Sequence, residues 1–320
     1  SVSIHPLTAL AAVWNALPFG DVTPWWPDTD TQILFGIRLP RVVAAAGVGA
    51  ALAASGVLFQ ALLRNPLADP FVIGSSGGAA LGAALGALLL GRHVTLLGFG
   101  IVPLLGFAGA FAAVWVVYGI SRHRGRTSIS SLILAGFAVG SVAGALNALV
   151  VMLSDQLRLR IAQTFAWLLG GISVNGWTPV VTVVPVVLIA VAAAMFLTWR
   201  LNALAMGERQ AARVGVNVER TRLAALVLAS ILTALAVSLS GLVAFVGLLV
   251  PHGVRLMIGP NNRLLLPAAA IAGAAYLIVM DLLARTVLAP VELPVGIFSA
   301  IVGSPLFIVL LRRARGSYDF

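Results

Sequence analysis

Lysine and cysteine are both missing from the 320 residues, and the twenty basic residues are all arginine. Without lysine the chain cannot build a P-loop that grips nucleotide phosphates, nor a Schiff base. Without cysteine it has neither a disulfide framework nor a thiolate metal site. Charge is scarce: 9% of residues are charged, 60% are hydrophobic and 33 are glycine, outside the range of an ordinary soluble domain. The long apolar runs hold almost no carboxylates, so the acidic ladder of a proton-coupled carrier is absent. His5, His93, His123 and His252 are scattered, and no pair has metal-ligand spacing.

What the chain does have is a succession of apolar runs of about 20 residues, each long enough as a helix to cross a hydrocarbon core. The runs are continuous rather than alternating, which predicts helices and not barrel strands. Spanning segments are expected at 41–63, 70–91, 96–119, 130–153, 178–199, 223–240, 242–258, 264–284 and 295–311. Residues 1–37 read as an interfacial loop rich in proline, tryptophan and aspartate, and 163–176 as a helix too short to span. The net charge of +10 is then a matter of topology rather than of nucleic-acid binding. Alternating the loops puts fourteen arginines on one side, including Arg64, Arg209, Arg213 and Arg222, and six on the other, including Arg38, Arg41 and Arg285. The richer side is read as cytoplasmic and as holding both the opening stretch and the C-terminus.

Gly74, Gly78, Gly82 and Gly86 recur every fourth residue, as do Gly136, Gly140 and Gly144. Each series makes a smooth helix stripe, suited to close packing or to a bare pathway wall. Asp281 and Arg285 are spaced to neutralise one another on one helix face. Asn65-Pro66-Leu67-Ala68-Asp69-Pro70 stops one helix and starts the next, with Asn65 and Asp69 placed to cap free backbone groups.

Five motifs then occur in order: IRLPR at 37–41, QALLRNPLADP at 60–70, LAMGERQAARVGV at 204–216, GLVAFVGLLVPH at 241–252 and ELPVGI at 292–297. Together they closely resemble the permease subunits of type II ABC importers, the family that takes up vitamin B12, ferric siderophores and haem. The resemblance runs from about residue 1 to 313. It implies an all-α integral membrane fold, a polytopic helical bundle, with residues 1–320 as one transmembrane permease domain. Family members have ten spanning helices. This sequence opens where the first of them normally ends, so nine are expected, with one missing upstream.

The same resemblance assigns roles. The stretch 202–222 would carry a cytoplasmic coupling helix that docks on a separate ATPase, with Gly207 at the bend, Glu208 starting the helix, Arg209 and Arg213 facing the partner, and Ala211 and Gly215 completing the motif. Arg38, Arg41 and Arg285 would receive acidic groups of a periplasmic substrate-binding protein. A cytoplasmic gate would lie at Asn65 and Leu67 and at Ser128 and Ser130, and the helices at 130–153 and 295–311 would line a path on a dimer axis. The implied assembly is two copies of this chain, two ATP-binding cassette subunits that hold ATP and Mg, and the binding protein, all at the inner membrane. This chain itself would carry no catalytic residue, cofactor or metal. Haem is the leading cargo, followed by ferric siderophore and corrinoid.

Two readings of other classes compete. GSSG at 74–77 contains the G-x-S-G pattern of rhomboid proteases, with Ser76 as nucleophile and His252 as base. An ion-coupled secondary transporter would instead need a carboxylate site near mid-membrane.

Overall fold

The computed structural model describes residues 4–89, 95–96, 99–123, 126–154, 167–172, 174 and 176–314. The apolar helices are α3 (Leu39–Leu63), α4 (Ser75–Leu89), α5 (Ile101–Ser121), α6 (Ile129–Leu153), α7 (Thr178–Met195), α10 (Val218–Ser240), α11 (Val246–Ile258), α12 (Asn262–Thr286) and α13 (Val295–Ala314). They fall on the nine expected segments: six runs are long and apolar enough to cross a membrane, while α4, α11 and α13 contain shorter apolar stretches. Four short helices accompany them: α1 (Pro6–Asn15), α2 (Asp28–Ile33), α8 (Thr198–Ala205) and α9 (Glu208–Arg213). Part of the expected short helix at 163–176, namely 163–166, falls outside the described residues; of those described, 167 and 168 are helical and 170–172 are not. Two antiparallel pairs of two-residue strands, Thr95–Leu96 with Phe99–Gly100 and Arg122–His123 with Arg126–Thr127, flank α5.

The centre of the bundle is α3, whose middle is almost wholly buried: Leu52, Val57, Leu58 and Phe59 are at most 1% exposed. Helices in lipid gain little from apolar burial against one another, so close backbone approach and hydrogen bonds must hold them. Both are present. A Cβ on Gly49 would stand 2.1 Å from the Gly273 carbonyl oxygen, and one on Gly273 2.3 Å from that of Gly49, so α3 and α12 touch backbone to backbone. Ser55 on α3 donates to the Ala229 carbonyl of α10 at 2.9 Å and shares a 2.7 Å hydrogen bond with Thr233. The glycine stripes serve packing in the same way. Gly78 and Gly82 meet the backbone of α5, whereas Gly136 and Gly140 meet the chain around Ile73 and Gly74; only Gly144 faces open space.

Four expectations need correction. Residues 1–37 are not simply a loop, because α1 forms over Pro6–Asn15 and because α2 and a π turn at Leu34–Arg38 extend α3 backwards into a helical run from Asp28 to Leu63. The opening stretch also lies at the other end of the bundle from Arg64: Ala12 of α1 packs with Trp26 and Leu34, beside Leu39, and α3 carries the chain about 37 Å onward before Arg64. It therefore shares the Arg38 and Arg41 end. The segment expected from 70 begins as a 3-10 turn, Pro70–Ile73, because Gly74 adopts φ 77° and redirects the chain before α4. Residues 242–245 are likewise non-helical. Phe245 is left-handed at φ 69°, and the Ala244 carbonyl, left without a helical partner, accepts from the Ser299 hydroxyl at 2.9 Å, as irregular backbone inside a helical bundle requires.

Candidate functional site

Charge, so rare elsewhere, gathers at the two ends of the bundle. At the first end, Met206 closes α8 and Gly207 turns the chain with φ 118°, a value that only glycine adopts readily. The six residues of α9 follow, and Gly215 at φ 82° turns the chain again toward Asn217, whose side chain caps α10 by accepting from the Arg220 N–H at 2.9 Å. Ala211 is fully buried and anchors α9, while Arg209 and Arg213, one turn apart, are exposed. Met206 and Val214 flank them at 60% and 59% exposure, giving a surface with apolar edges and a basic centre.

Glu208 is not merely a helix start. It accepts from Arg222 Nη2 at 2.5 Å and lies 3.8 Å from Arg64, the left-handed residue that ends α3. Arg222, 7% exposed, also donates through Nη1 to the Thr127 carbonyl at 3.0 Å. Glu219 accepts from both the backbone N–H and the hydroxyl of Thr127. Ser128 and Ser130 follow directly at the start of α6. Both are exposed, and Ser128 does not cap the helix with its side chain. These groups share a polar cavity of about 860 Å³ lined by Thr127, Ser128, Ser130, Glu208, Arg209 and Arg222 among others. The proposed gate serines and coupling residues, eighty positions apart in sequence, thus face one space.

Asn65 and Leu67 occupy the neighbouring turn, where Asn65 Oδ1 accepts from the Leu67 N–H at 2.9 Å. Asp69 caps the next turn through the Phe71 N–H at 2.8 Å, as its spacing predicts, and burial pushes its carboxyl up to about 6 against the opposing effect of that hydrogen bond.

At the other end Asp281, 1% exposed, holds two of the three predicted docking arginines. Arg41 reaches it at 3.0 Å and Arg285 at 3.1 Å, and Arg41 extends a second arm to Glu292 at 2.9 Å. Their side chains remain 18% and 22% exposed, so both cations are anchored yet still reach the surface. Arg38 is half-buried on the preceding turn. Spacing foretold the Asp281–Arg285 pair but not Arg41 as its third member. Sequence reasoning also passed over Thr127, Glu219, Arg222 and Glu292. The available signal was three charges, Glu219, Arg220 and Arg222, in the first turns of an apolar helix.

The rival sites fare differently. Both ring nitrogens of the buried His252 lack any hydrogen-bond partner, so it does not activate Ser76. Among the described residues no cluster of three or more His, Cys, Asp or Glu could hold a metal ion.

Comparison with known proteins identifies the family and fold. The model of the FecCD transport family matches residues 2–313. An uncharacterised ABC transporter permease of Bacillus subtilis (strain 168) is 42% identical over 98% of this chain and 89% of its own length. The cobalamin import system permease of Halobacterium salinarum is 40% identical over 98% and 84%, and the hemin transport system permease of Yersinia pestis 37% identical over 95% and 91%. A solved structure described as an inward-facing conformation of a transporter of the metal-chelate ABC type superposes with a TM-score of 0.81 at 31% identity, covering 96% of each chain. The chain belongs to the FecCD transport family and is a multi-pass membrane permease of the type II ABC importer class.

Proposed function

We propose that two copies of this chain form the membrane pathway of an importer that moves haem or a ferric chelate inward across the inner membrane, with both chain termini of the coupling region and the C-terminus on the cytoplasmic side. Corrinoid is the alternative cargo of the same class. ATP and Mg belong to two separate cassette subunits that dock on α9, and a periplasmic binding protein delivers cargo to the end bearing Arg38, Arg41 and Arg285. The dimer contact and path use α6 and α13: Leu134, Phe137, Met152 and Leu153 of α6 are 69–76% exposed, and Ile301 of α13 is 63% exposed. Loaded binding protein docks outside, ATP closes the cassettes, and α9 converts that closure into movement at Asn65, Leu67, Ser128 and Ser130.

One observation carries this reading: a six-residue helix, held between two glycines of positive φ, that buries its Ala211 and projects Arg209 and Arg213 outward. A loop serving only charge topology would need no such anchoring. The test is gentle purification from native membranes, with partners identified by mass. A P-loop ATPase is expected at one copy per permease. The double substitution Arg209→Glu, Arg213→Glu should abolish its recovery while changing the permease's own unfolding free energy by less than about 0.5 kcal/mol, because both side chains are exposed. Reproducible isolation of the native protein alone would return α9 to a basic loop and favour the ion-coupled carrier.

A further inference from the structure

The grip on Thr127 is unusually complete. Its N–H and hydroxyl both donate to Glu219, the N–H at 3.3 Å, and its carbonyl accepts from Arg222 at 3.0 Å. All three polar groups of one residue are therefore held by the first turns of α10. Thr127 is 3% exposed and immediately precedes the first residues of α6, so wherever the foot of α10 goes, the start of α6 must follow. The second arm of Arg222 runs the other way, to Glu208 at the beginning of α9. A guanidinium has a planar fork of donors and can hold a carbonyl and a carboxylate at once in fixed geometry, which an ammonium cannot do as well. Arg222 is buried, so releasing either acceptor would leave a desolvated cation short of a partner.

We infer that Arg222, with Glu219 and Thr127, is the joint that makes α9 and the start of α6 move as one piece. Arg222 is a positioning residue: it touches neither cargo nor nucleotide and acts through Ser128, Ser130 and α6. The inference rests on the reading of α9 as the ATPase-docking helix. It goes beyond that reading by naming the residue through which a push on α9 reaches the path, and by making the motion rigid. The cleft between the two elements then keeps its shape through the cycle.

The absence of cysteine allows a direct test, since introduced pairs can be labelled without background. Ala212 of α9 and Ser131 of α6 both line the cleft. In the assembled transporter, reconstituted in lipid with its ATPase and binding protein, spin labels at Ala212→Cys and Ser131→Cys should show one distance with and without ATP. In the Arg222→Gln background the distance should become nucleotide-dependent. Cargo moved per ATP hydrolysed should fall about tenfold, the scale of losing one charge-assisted hydrogen bond, while the ATPase still co-purifies and hydrolyses ATP. Glu208→Gln should show the same loss of coupling, and the double variant should be no worse than either single one. Should Arg222→Gln fail to fold, Thr127→Val, which removes only the hydroxyl contact, supplies the same two readouts.

A native distance that changes with ATP as much as in the variants, or an unchanged ratio of cargo to ATP, overturns the joint. Failure of the unsubstituted protein to recruit an ATPase or drive ATP-dependent uptake would instead strike the docking reading itself, so the two failures are distinct.

Discussion

The two ends of the bundle solve the same electrostatic problem in opposite senses. At the Arg41 end a buried anion, Asp281, organises cations that reach the surface. At the Arg222 end a buried cation organises anions, with Glu208 half exposed and its neighbours Arg209 and Arg213 left projecting. In both cases the buried member fixes geometry, and the outer members remain available to a partner. The first end ties together α3, α12 and the chain leading into α13, elements that pack closely. The second ties the short helix α9 to the start of α6, elements that do not otherwise pack closely on one another.

The largest expected break of this contrast is at the first end. Asp281→Ala would leave two partly buried guanidinium groups side by side with only Glu292 near them, at a cost of about 3 kcal/mol, visible as a lowered unfolding temperature in detergent. The contrast would lose its basis if the variant melted like the native protein. A smaller effect, about 1 kcal/mol, is expected at Asp69 beside the second end. Its carboxyl is raised to about 6 by burial, so the fold favours the protonated acid. Its stabilising contribution is complete below the ordinary carboxylate value and is lost as pH rises through about 6. Asp69→Asn keeps an acceptor for the Phe71 N–H but cannot ionise, so it should melt above the native protein at pH 7 and close to it at pH 4. Equal differences at both pH values would remove the burial explanation. The smallest effect belongs to Glu292, whose side chain is 59% exposed: Glu292→Gln should change stability by under about 0.5 kcal/mol in a chemical unfolding series. A larger loss would mean that Glu292, and not Asp281, organises the external cluster.

Much of the fold was legible because membranes impose a one-dimensional rule. An apolar run of sufficient length must be helical, and each of the nine expected runs holds a helix over most of its described residues. The stretch proposed as the coupling region stood out for a related reason, since Gly207, Glu208 and Arg213 interrupt a chain with almost no charge. What the rule does not supply is depth and pairing. Residues 242–245 are apolar enough to be counted into a span, but the left-handed Phe245 breaks the helix where a serine hydroxyl from α13 can satisfy the chain. The polar opening stretch carries no period that fixes which end it visits, and its placement depends on Ala12 meeting Leu34. The partners of Arg41 lie 240 and 251 positions away, and Thr127 meets Glu219 across 92. Only Asp281 and Arg285, one turn apart, announced themselves.

The backbone contact between Gly49 and Gly273 has a mechanical consequence. Two helices that touch carbonyl to Cα at mid-length and are pinned at one end by Arg41 and Asp281 cannot part or hinge; they form a stator. Under the coupling proposed at α9, work delivered there would have little to deform in that frame and would pass to α6, the least enclosed of the six long apolar helices.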